Sequence, residues 1–275
     1  MLAKVISGAT VGLNSILIEV EVDIQKRGLP AFKIVGLPDK AVEEAKERVR
    51  SALMNSGADF PDYKITVNLA PADLPKKGPA YDLPLALGIL LASGQLPPTS
   101  DTGDSLVLGE LSLDGSLRHT TGVLPLTLLA REKGFKKIFL PEKDAVEAAI
   151  ISGVEIIPVK SLTQIFYHLR GIEEISPQPP ISLSELIQEE REFEADFAYI
   201  RGQENAKRAM EVAAAGGHNI LLKGPPGAGK TILARALPSI LPRLTEDEAL
   251  EVTKIYSIAG KLPPGEPLIL ERPFR

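Results

Sequence analysis

Eight residues near the end of the 275-residue chain restrict its fold and chemistry more than any other stretch. They read Gly224-Pro225-Pro226-Gly227-Ala228-Gly229-Lys230-Thr231 and match the pattern G-x-x-x-x-G-K-[ST] at every fixed position. This pattern joins a buried parallel strand to a helix. The apolar run at residues 219–223 predicts the strand, and residues 231–237 predict a helix that Pro238 ends. The stretch therefore predicts an α/β layer built around a glycine-rich loop, residues 224–231.

The residue types of the glycine-rich loop suit phosphate chemistry. Glycines let the backbone come close to phosphate oxygens, and the N-terminus of the following helix adds partial positive charge. Lys230 would reach the β- and γ-phosphates of ATP, and the Thr231 hydroxyl would bind Mg²⁺. The sequence thus predicts ATP and Mg²⁺ as cofactors, with all eight loop residues in the nucleotide site. The alternative is a Gly-Pro loop that holds a lysine by chance.

Length and charge predict two domains. About 150 residues per domain is usual, and residues 173–194 combine seven glutamates and one arginine, a local net charge of −6 in a chain whose net charge is −5. Acidic, proline-containing composition marks a connecting segment. We therefore expect a first domain at 1–172, a linker at 173–195 with a short helix at 182–192, and a second domain at 196–275.

The first domain mixes strands and helices without strict alternation, which favours an α+β layer fold. Residues 16–24 alternate apolar and charged side chains with period two, as half-buried strands do, and residues 36–39 predict a turn that caps the following helix. The predicted strands are 4–7, 16–24, 31–35, 64–69, 106–108, 137–140 and 155–159. The predicted helices are 40–55, 83–92, 124–133, 144–150 and 162–169.

Composition excludes several classes of protein. The chain has no cysteine, which rules out disulfides, thiolate metal sites and thiol nucleophiles. The longest apolar run, residues 83–92, is shorter than the roughly 20 residues that span a bilayer, and acidic residues interrupt any signal-like stretch before residue 24. A cytoplasmic protein without a membrane partner fits these features. His119, His168 and His218 share no metal-ligand spacing, and the lysine clusters at 76–77, 133 and 136–137 predict solvated faces.

Two segments of the first domain resemble the proteolytic domain of Lon protease. They are Leu74-Pro75-Lys76-Lys77-Gly78-Pro79-Ala80-Tyr81-Asp82-Leu83 and Gly109-Glu110-Leu111-Ser112-Leu113-Asp114-Gly115-Ser116-Leu117. The resemblance places the catalytic serine at Ala80 and its lysine partner at about Leu124. A methyl group is no nucleophile and leucine cannot take up a proton. The resemblance thus implies a Lon-like fold without peptidase activity.

The whole chain resembles the Mg-chelatase-like AAA+ ATPases, the family that includes competence protein ComM and YifB. The most specific matches are 2–12 with 36–39, then 68–73, 202–209, 214–219 and 272–275. The resemblance implies an α+β Lon-protease-like N-terminal domain followed by a truncated α/β P-loop (AAA+) domain, and an ATPase that forms a homo-hexamer and moves along branched DNA. It also implies an adenine pocket near Tyr199 and Ile200, where core packing is the alternative.

The resemblance also implies parts that lie beyond Arg275: a histidine pair, an acidic strand and an arginine finger. We therefore expect a piece of a longer protein, with no complete set of catalytic residues, that binds ATP but hydrolyses it poorly. Residues 268–271 are a local candidate for the acidic strand, although a buried strand with an exposed end is the simpler interpretation. The alternatives to a DNA motor are a metal-insertion subunit as in magnesium chelatase, a Lon-like peptidase, and a nucleotide-binding module without hydrolysis.

Overall fold

A computed structural model describes residues 1–26, 28–97, 102–188, 193, 195–263 and 265–273. The chain divides into two compact units. The first comprises Met1–Ile181 and Thr253–Pro267, and the second Ser182–Val252 and Leu268–Arg275. Contacts thus divide the chain after Ile181, whereas composition predicted a boundary at 173. The division into 1–172, 173–195 and 196–275 remains a proposal.

The first unit is built on a seven-stranded mixed sheet with the order β3-β4-β2-β1-β5-β8-β9. The pairs β1–β2 and β2–β4 are antiparallel, and the other four neighbouring pairs are parallel. The predicted mixture of helices and strands is confirmed, with a larger parallel share than the α+β expectation implied. The sheet strands are β1 (Leu2–Val11), β2 (Asn14–Gln25), β3 (Ala31–Val35), β4 (Lys64–Ala70), β5 (Ser105–Val107), β8 (Lys137–Pro141) and β9 (Glu155–Val159); a separate pair is β6 (Glu110–Leu111) and β7 (Leu117–Arg118).

Successive side chains of a strand point to opposite faces of the sheet. Apolar side chains occur on both faces of this sheet, and helices cover both. In β8, Phe139 belongs to one buried apolar cluster while Ile138 and Leu140 belong to the other. The helices of the first cluster are α1 (Lys40–Asn55), α2 (Asp82–Ser93) and α5 (Leu162–Leu169); those of the second are α3 (Val123–Glu132) and α4 (Ala145–Ala148).

Local sequence accounts for most of these boundaries. Asp39 caps α1, as predicted, because its Oδ1 accepts a hydrogen bond from the Val42 N–H at 2.9 Å. Gly94 ends α2 in the left-handed conformation with φ of 81°. The strand predicted at 4–7 is longer in the structure, since the hairpin with β2 continues to the pair Val11↔Asn14.

The second unit is helical in the part of the chain that the structure describes. Its helices are α6 (Leu183–Gln188), α7 (Glu204–Gly216), α8 (Lys230–Ile240) and the first half of α9 (Glu246–Ile258). Phe197, Met210, Leu233 and Ala236 form its small buried core. The helix predicted at 182–192 is observed as α6, and its last four residues lie outside the described residues.

Candidate nucleotide site and the Lon-like cleft

The glycine-rich loop runs directly into helix α8. Gly229 occupies the N-cap position with φ of 80°, and Gly227 has the same φ. A side chain is strained at both positions, so the loop can take this path only with glycine there. The first turn of α8 leaves its N–H groups without intrahelical acceptors, including those of Lys230 and Thr231. These groups and the positive end of the helix suit an anion, so the chemistry of the loop fits a nucleotide phosphate.

Lys230 folds back over its own loop. Its ammonium group donates hydrogen bonds to the carbonyl oxygens of Gly224 at 3.0 Å and Pro225 at 2.7 Å. Both contacts are exposed. Carbonyl oxygens accept hydrogen bonds but carry no net charge, so the positive charge of the Lys230 ammonium is not balanced by them. The ammonium can therefore exchange them for phosphate oxygens. Thr231, the second residue of α8, has an exposed side chain.

The strand predicted at 219–223 is not formed. Residues 219–225 have no regular secondary structure, and Leu221 is 89% exposed. A strand requires a hydrogen-bonded neighbour, and the described residues of the second unit contain no strand with which this segment could pair. Ile220 and Leu222 nevertheless pack against the Phe197–Met210–Leu233–Ala236 core. The segment therefore has a buried face, as predicted, without the ladder that would define it as a strand.

The region around the loop contains the predicted Tyr199 and Ile200. Ile200 packs against the small core, whereas Tyr199 is 83% exposed. Gln203 is the N-cap residue of α7, with φ of 59°. Its side-chain amide donates a hydrogen bond to the Ala228 carbonyl oxygen at 3.4 Å. This contact links α7 to the glycine-rich loop, and the sequence analysis did not predict it.

The candidate acidic strand at 268–271 is also absent as a strand. Leu268 is buried, while Glu271 is exposed and lies with Arg272 on a cleft of about 350 Å³. Arg272 donates to Glu248 at 2.9 Å and to the Pro242 carbonyl at 3.1 Å. Of the predicted motif at 272–275, residues 274 and 275 lie outside the described residues.

In the first unit, the two positions matched to the Lon dyad, Ala80 and Leu124, make hydrogen bonds through their backbone groups. The Ala80 carbonyl accepts a hydrogen bond from Gly109 N–H at 3.0 Å. Leu124 is fully buried, and its N–H donates to the Glu147 carboxylate at 2.8 Å. Burial raises the pKa of Glu147, although the Ser257 hydroxyl at 2.5 Å opposes that shift. Neither Ala80 nor Leu124 carries a group that can attack or accept a proton.

Ala80 lines a cleft of about 530 Å³, which we call the Lon-like cleft. Its walls are residues 8–12 of β1 and the following turn, residues 74, 75 and 77–81, Glu110, residues 119–121 and Leu126. The His119 Nδ1 atom lies 2.5 Å from Asp144 Oδ1, and the Thr120 N–H donates to Oδ2 of the same carboxylate at 2.8 Å. Burial raises the pKa of Asp144, and the contact with His119 opposes the shift.

The remaining histidines and lysines have separate positions. His168 accepts a hydrogen bond from the Ile175 N–H at 3.0 Å, and His218 lies against Gly216. The expectation that residues 76–77 form a solvated face is wrong for Lys76, which is fully buried with its ammonium bonded to the Pro71 carbonyl. Lys76 is held there because its backbone pairs with Leu37 and Asp39. No group of three potential metal-ligating side chains occurs in the described ranges.

Two known protein families match separate parts of the chain. The family described as subunit ChlI of Mg-chelatase matches residues 20–144, and that described as magnesium chelatase, subunit ChlI, matches residues 196–275. The first match spans β3 to β8 of the sheet and most residues that line the Lon-like cleft, apart from residues 8–12, and the second spans the glycine-rich loop. The chain belongs to the Mg-chelatase-like family that includes ComM.

Individual relatives agree with this assignment. An uncharacterised protein of Mycobacterium tuberculosis is 42% identical over 273 residues, 99% of this chain and 53% of the relative. Competence protein ComM of Haemophilus influenzae is 42% identical over 257 residues, 94% of this chain and 50% of ComM. Lon protease 2 of Bacillus subtilis is 28% identical over 189 residues, 62% of this chain and 32% of that protease. The chain spans about half the length of the first two relatives.

Among the described residues, no helix has both the length and the apolar character needed to cross a bilayer.

Proposed function

We propose that this chain binds Mg-ATP through residues 224–231 and forms part of an AAA+ ATPase. The observation that carries the proposal is the loop geometry. Gly227 and Gly229 adopt φ of 80° directly before the N-terminus of α8, and the carbonyl oxygens of Gly224 and Pro225 hold Lys230 over the loop. Glycine conformations, free N–H groups and a mobile ammonium are the parts that a phosphate cradle requires.

Each residue of the loop has a distinct part in this proposal. The backbone of 224–229 surrounds the phosphates, Lys230 neutralises their charge, and the Thr231 hydroxyl holds Mg²⁺. Ile200 and Tyr199 form one side of the adenine pocket, for which the 83% exposure of Tyr199 leaves room. Bound ATP with Mg²⁺ would supply the phosphoryl group.

At the level of the whole protein, we propose a cytoplasmic homo-hexameric motor that acts on DNA in recombination or branch migration. The proposal follows the resemblance to the ComM family, and a relative from Haemophilus influenzae carries the name competence protein ComM. A metal-insertion subunit is the second candidate, because both family matches carry the name of a magnesium chelatase subunit. Neighbouring genes distinguish the two: genes for porphyrin synthesis favour metal insertion, and genes for DNA processing favour the motor.

The nucleotide site is tested by titration calorimetry of Mg-ATP against wild type and Lys230→Ala. The variant should bind at least about tenfold more weakly, since a hydrogen bond to a charged group contributes about 1.5–3 kcal/mol. Lys223→Ala is the matched control, because Lys223 is an exposed lysine directly before the loop. It should bind like wild type. Equal affinity of the Lys230→Ala variant would contradict the assignment.

A further inference from the structure

Strand β1 is paired along only part of one side. On the side of β2 it is paired over its full length, from Leu2↔Asp23 to Val11↔Asn14. Among the residues that the structure describes, its one pair on the side of β5 is Ile6↔Leu106. Beyond β5 the chain turns away, since the N–H of Leu108 bonds to Phe139 and that of Gly109 bonds to Ala80. Residues 8–11 of β1 therefore form an open strand edge.

This open edge carries unpaired backbone groups. In an antiparallel pair, alternate residues turn their N–H and C=O groups away from the partner strand. Over residues 8–11 those groups face away from β2, and no other described strand pairs with them. At about 3.3 Å per residue the edge is about 13 Å long. It can accept an extended segment of about four residues.

The open edge forms one wall of the Lon-like cleft. Residues 77–81 and residues 119–121 also line this cleft. Thr120 is 6% exposed, and its hydroxyl oxygen has no hydrogen-bond partner among the described residues. Buried hydroxyls are usually paired, so the wall contains a polar group that folding of the described chain leaves unsatisfied.

The residues of the cleft restrict the chemistry of its ligand. The charged or titratable side chains among its lining residues are Lys77, Tyr81, Glu110 and His119, and Lys77 and Glu110 carry opposite signs. This balance does not suit a polyanion such as nucleic acid. A row of alternating donors and acceptors instead suits another polypeptide backbone, which adds a strand to the sheet.

We propose that the Lon-like cleft binds an extended polypeptide segment, which pairs with residues 8–11 of β1 and is not cleaved. The residues at this edge, Gly8-Ala9-Thr10, carry no bulky side chain. Leu126 fills the space beside Gly8, where an added Cβ would lie 2.5 Å from its Cδ2 atom. We expect no cleavage, because Ala80 and Leu124, the two positions matched to the Lon dyad, offer neither a nucleophile nor a base. The domain then holds a polypeptide and leaves it intact.

The test uses fluorescence anisotropy of the whole chain with labelled, reduced and carboxymethylated α-lactalbumin, a permanently unfolded polypeptide. Wild type should bind it and leave it intact on a gel. Ala80→Trp places a large ring in the cleft and should weaken binding at least about tenfold, by loss of backbone hydrogen bonds. Val35→Trp is the matched control, because Val35 is exposed on β3, an edge strand that β4 and β2 separate from β1. It should bind like wild type.

A second measurement does not depend on the folding of a variant. Twelve-residue peptides tiled over the same polypeptide identify the segment that binds, and its alternately N-methylated form should lose binding, because N-methylation removes the backbone donors. The proposal is overturned by absence of binding at millimolar peptide, by equal binding of the N-methylated peptide, or by cleavage. It is also overturned if sedimentation shows a dimer that Ala80→Trp abolishes and peptide does not compete with, since the occupant is then a second copy of the chain.

Discussion

At the scale of single residues, the most constrained charge in the first unit is Asp82. It is fully buried at the start of α2, and it accepts hydrogen bonds from Arg48 Nε at 2.6 Å, Arg48 Nη2 at 3.0 Å and Leu111 N–H at 3.2 Å. Burial raises the pKa of Asp82 to about 6, against the lowering effect of Arg48. Asp82 thus depends on Arg48 for its charge.

The variant Arg48→Leu should therefore destabilise the first unit. Removal of one partner of a buried ion pair costs about 3–5 kcal/mol. The pKa of Asp82 rises further without Arg48, so the folded state holds a proton that the unfolded chain releases near pH 4. The free energy of unfolding then falls as pH rises, and the loss should be larger at pH 8 than at pH 5.

Urea denaturation of wild type and variant at both pH values measures this difference. Lys40→Leu is the control on the same helix, since Lys40 is 90% exposed and its ion pair with Glu44 is 4.0 Å long. It should change stability by no more than about 0.5 kcal/mol. A loss in Arg48→Leu that is independent of pH would show that Asp82 is not the group responsible.

Residue types alone could predict the glycine-rich loop but not whether each lysine side chain is buried or exposed. Lys230 lies in a motif whose spacing determines its place at the start of α8. Lys76 belongs to a Lys-Lys pair that looks solvated in sequence, yet its backbone pairs with Leu37 and Asp39 and carries the side chain into the interior. Such long-range pairing leaves no local signal in the sequence.

At the scale of elements, helix α2 shows how close packing determines residue choice. Every residue from Asp82 to Ala92 is buried, and α2 packs on β1 and β2. A Cβ added at Gly88 would lie 2.5 Å from Val22 Cγ2. The glycine thus permits the close approach of the helix to the sheet, at a cost in helix propensity of about 1 kcal/mol relative to alanine.

Gly88→Ala should consequently destabilise the protein despite its better helix propensity. Overpacking costs about 1–3 kcal/mol, which exceeds or cancels the gain. Val22→Ala in the same chain opens the space that the new methyl group needs. In urea denaturation the double variant should lose less stability than the sum of the two single variants. Strict additivity would mean that Gly88 and Val22 do not share this contact.

Apolar composition and Gly94 are local signals, so helix α2 is predicted within one residue at each end. No helix is predicted at α9, although a local signal is present. Thr245 and Glu248 form a reciprocal capping box, with Thr245 N–H donating to Glu248 Oε2 at 3.0 Å and Glu248 N–H donating to Thr245 Oγ1 at 3.3 Å. The pattern T-x-x-E before an apolar-containing stretch indicates such a start. The open edge of β1, in contrast, depends on where β5 ends and had no local signal.

At the scale of the whole molecule, the sequence predicted a sheet-containing first part and a phosphate-loop second part, and the structure contains the sheet in the first unit. The second unit has its glycine-rich loop in the expected place before α8. Residues 219–223, however, do not form the strand that would hold the N-terminal end of the loop in a sheet. Local patterning could predict the loop and the helix. A strand depends on neighbours, so its formation could not be predicted from residues 219–223 themselves.

The last prediction concerns turnover of ATP by the chain as it stands. Phosphoryl transfer needs a group that positions water, a carboxylate near Mg²⁺, and often an arginine from a neighbouring subunit, which contributes about 10³ to 10⁵ in rate. The hydrogen bonds that the glycine-rich loop makes with described side chains come from Lys230 and Gln203, and none involves a carboxylate. We therefore expect binding of ATP with little hydrolysis.

Steady-state ATPase assays of this chain beside full-length ComM of Haemophilus influenzae, with and without branched DNA, test this expectation. Turnover by the chain should be at least about 10³-fold lower than that of the relative, because an arginine at the phosphates contributes at least that much and the two described side chains that hydrogen-bond to the glycine-rich loop, Lys230 and Gln203, include no arginine. Lys230→Ala provides the background rate. Glu271→Gln is the informative variant, because Glu271 is the carboxylate of the candidate acidic strand at 268–271 and its side chain is exposed. If the chain turns over ATP as fast as ComM and Glu271→Gln abolishes the activity, Glu271 completes the site and the expectation of a catalytically incomplete chain is wrong.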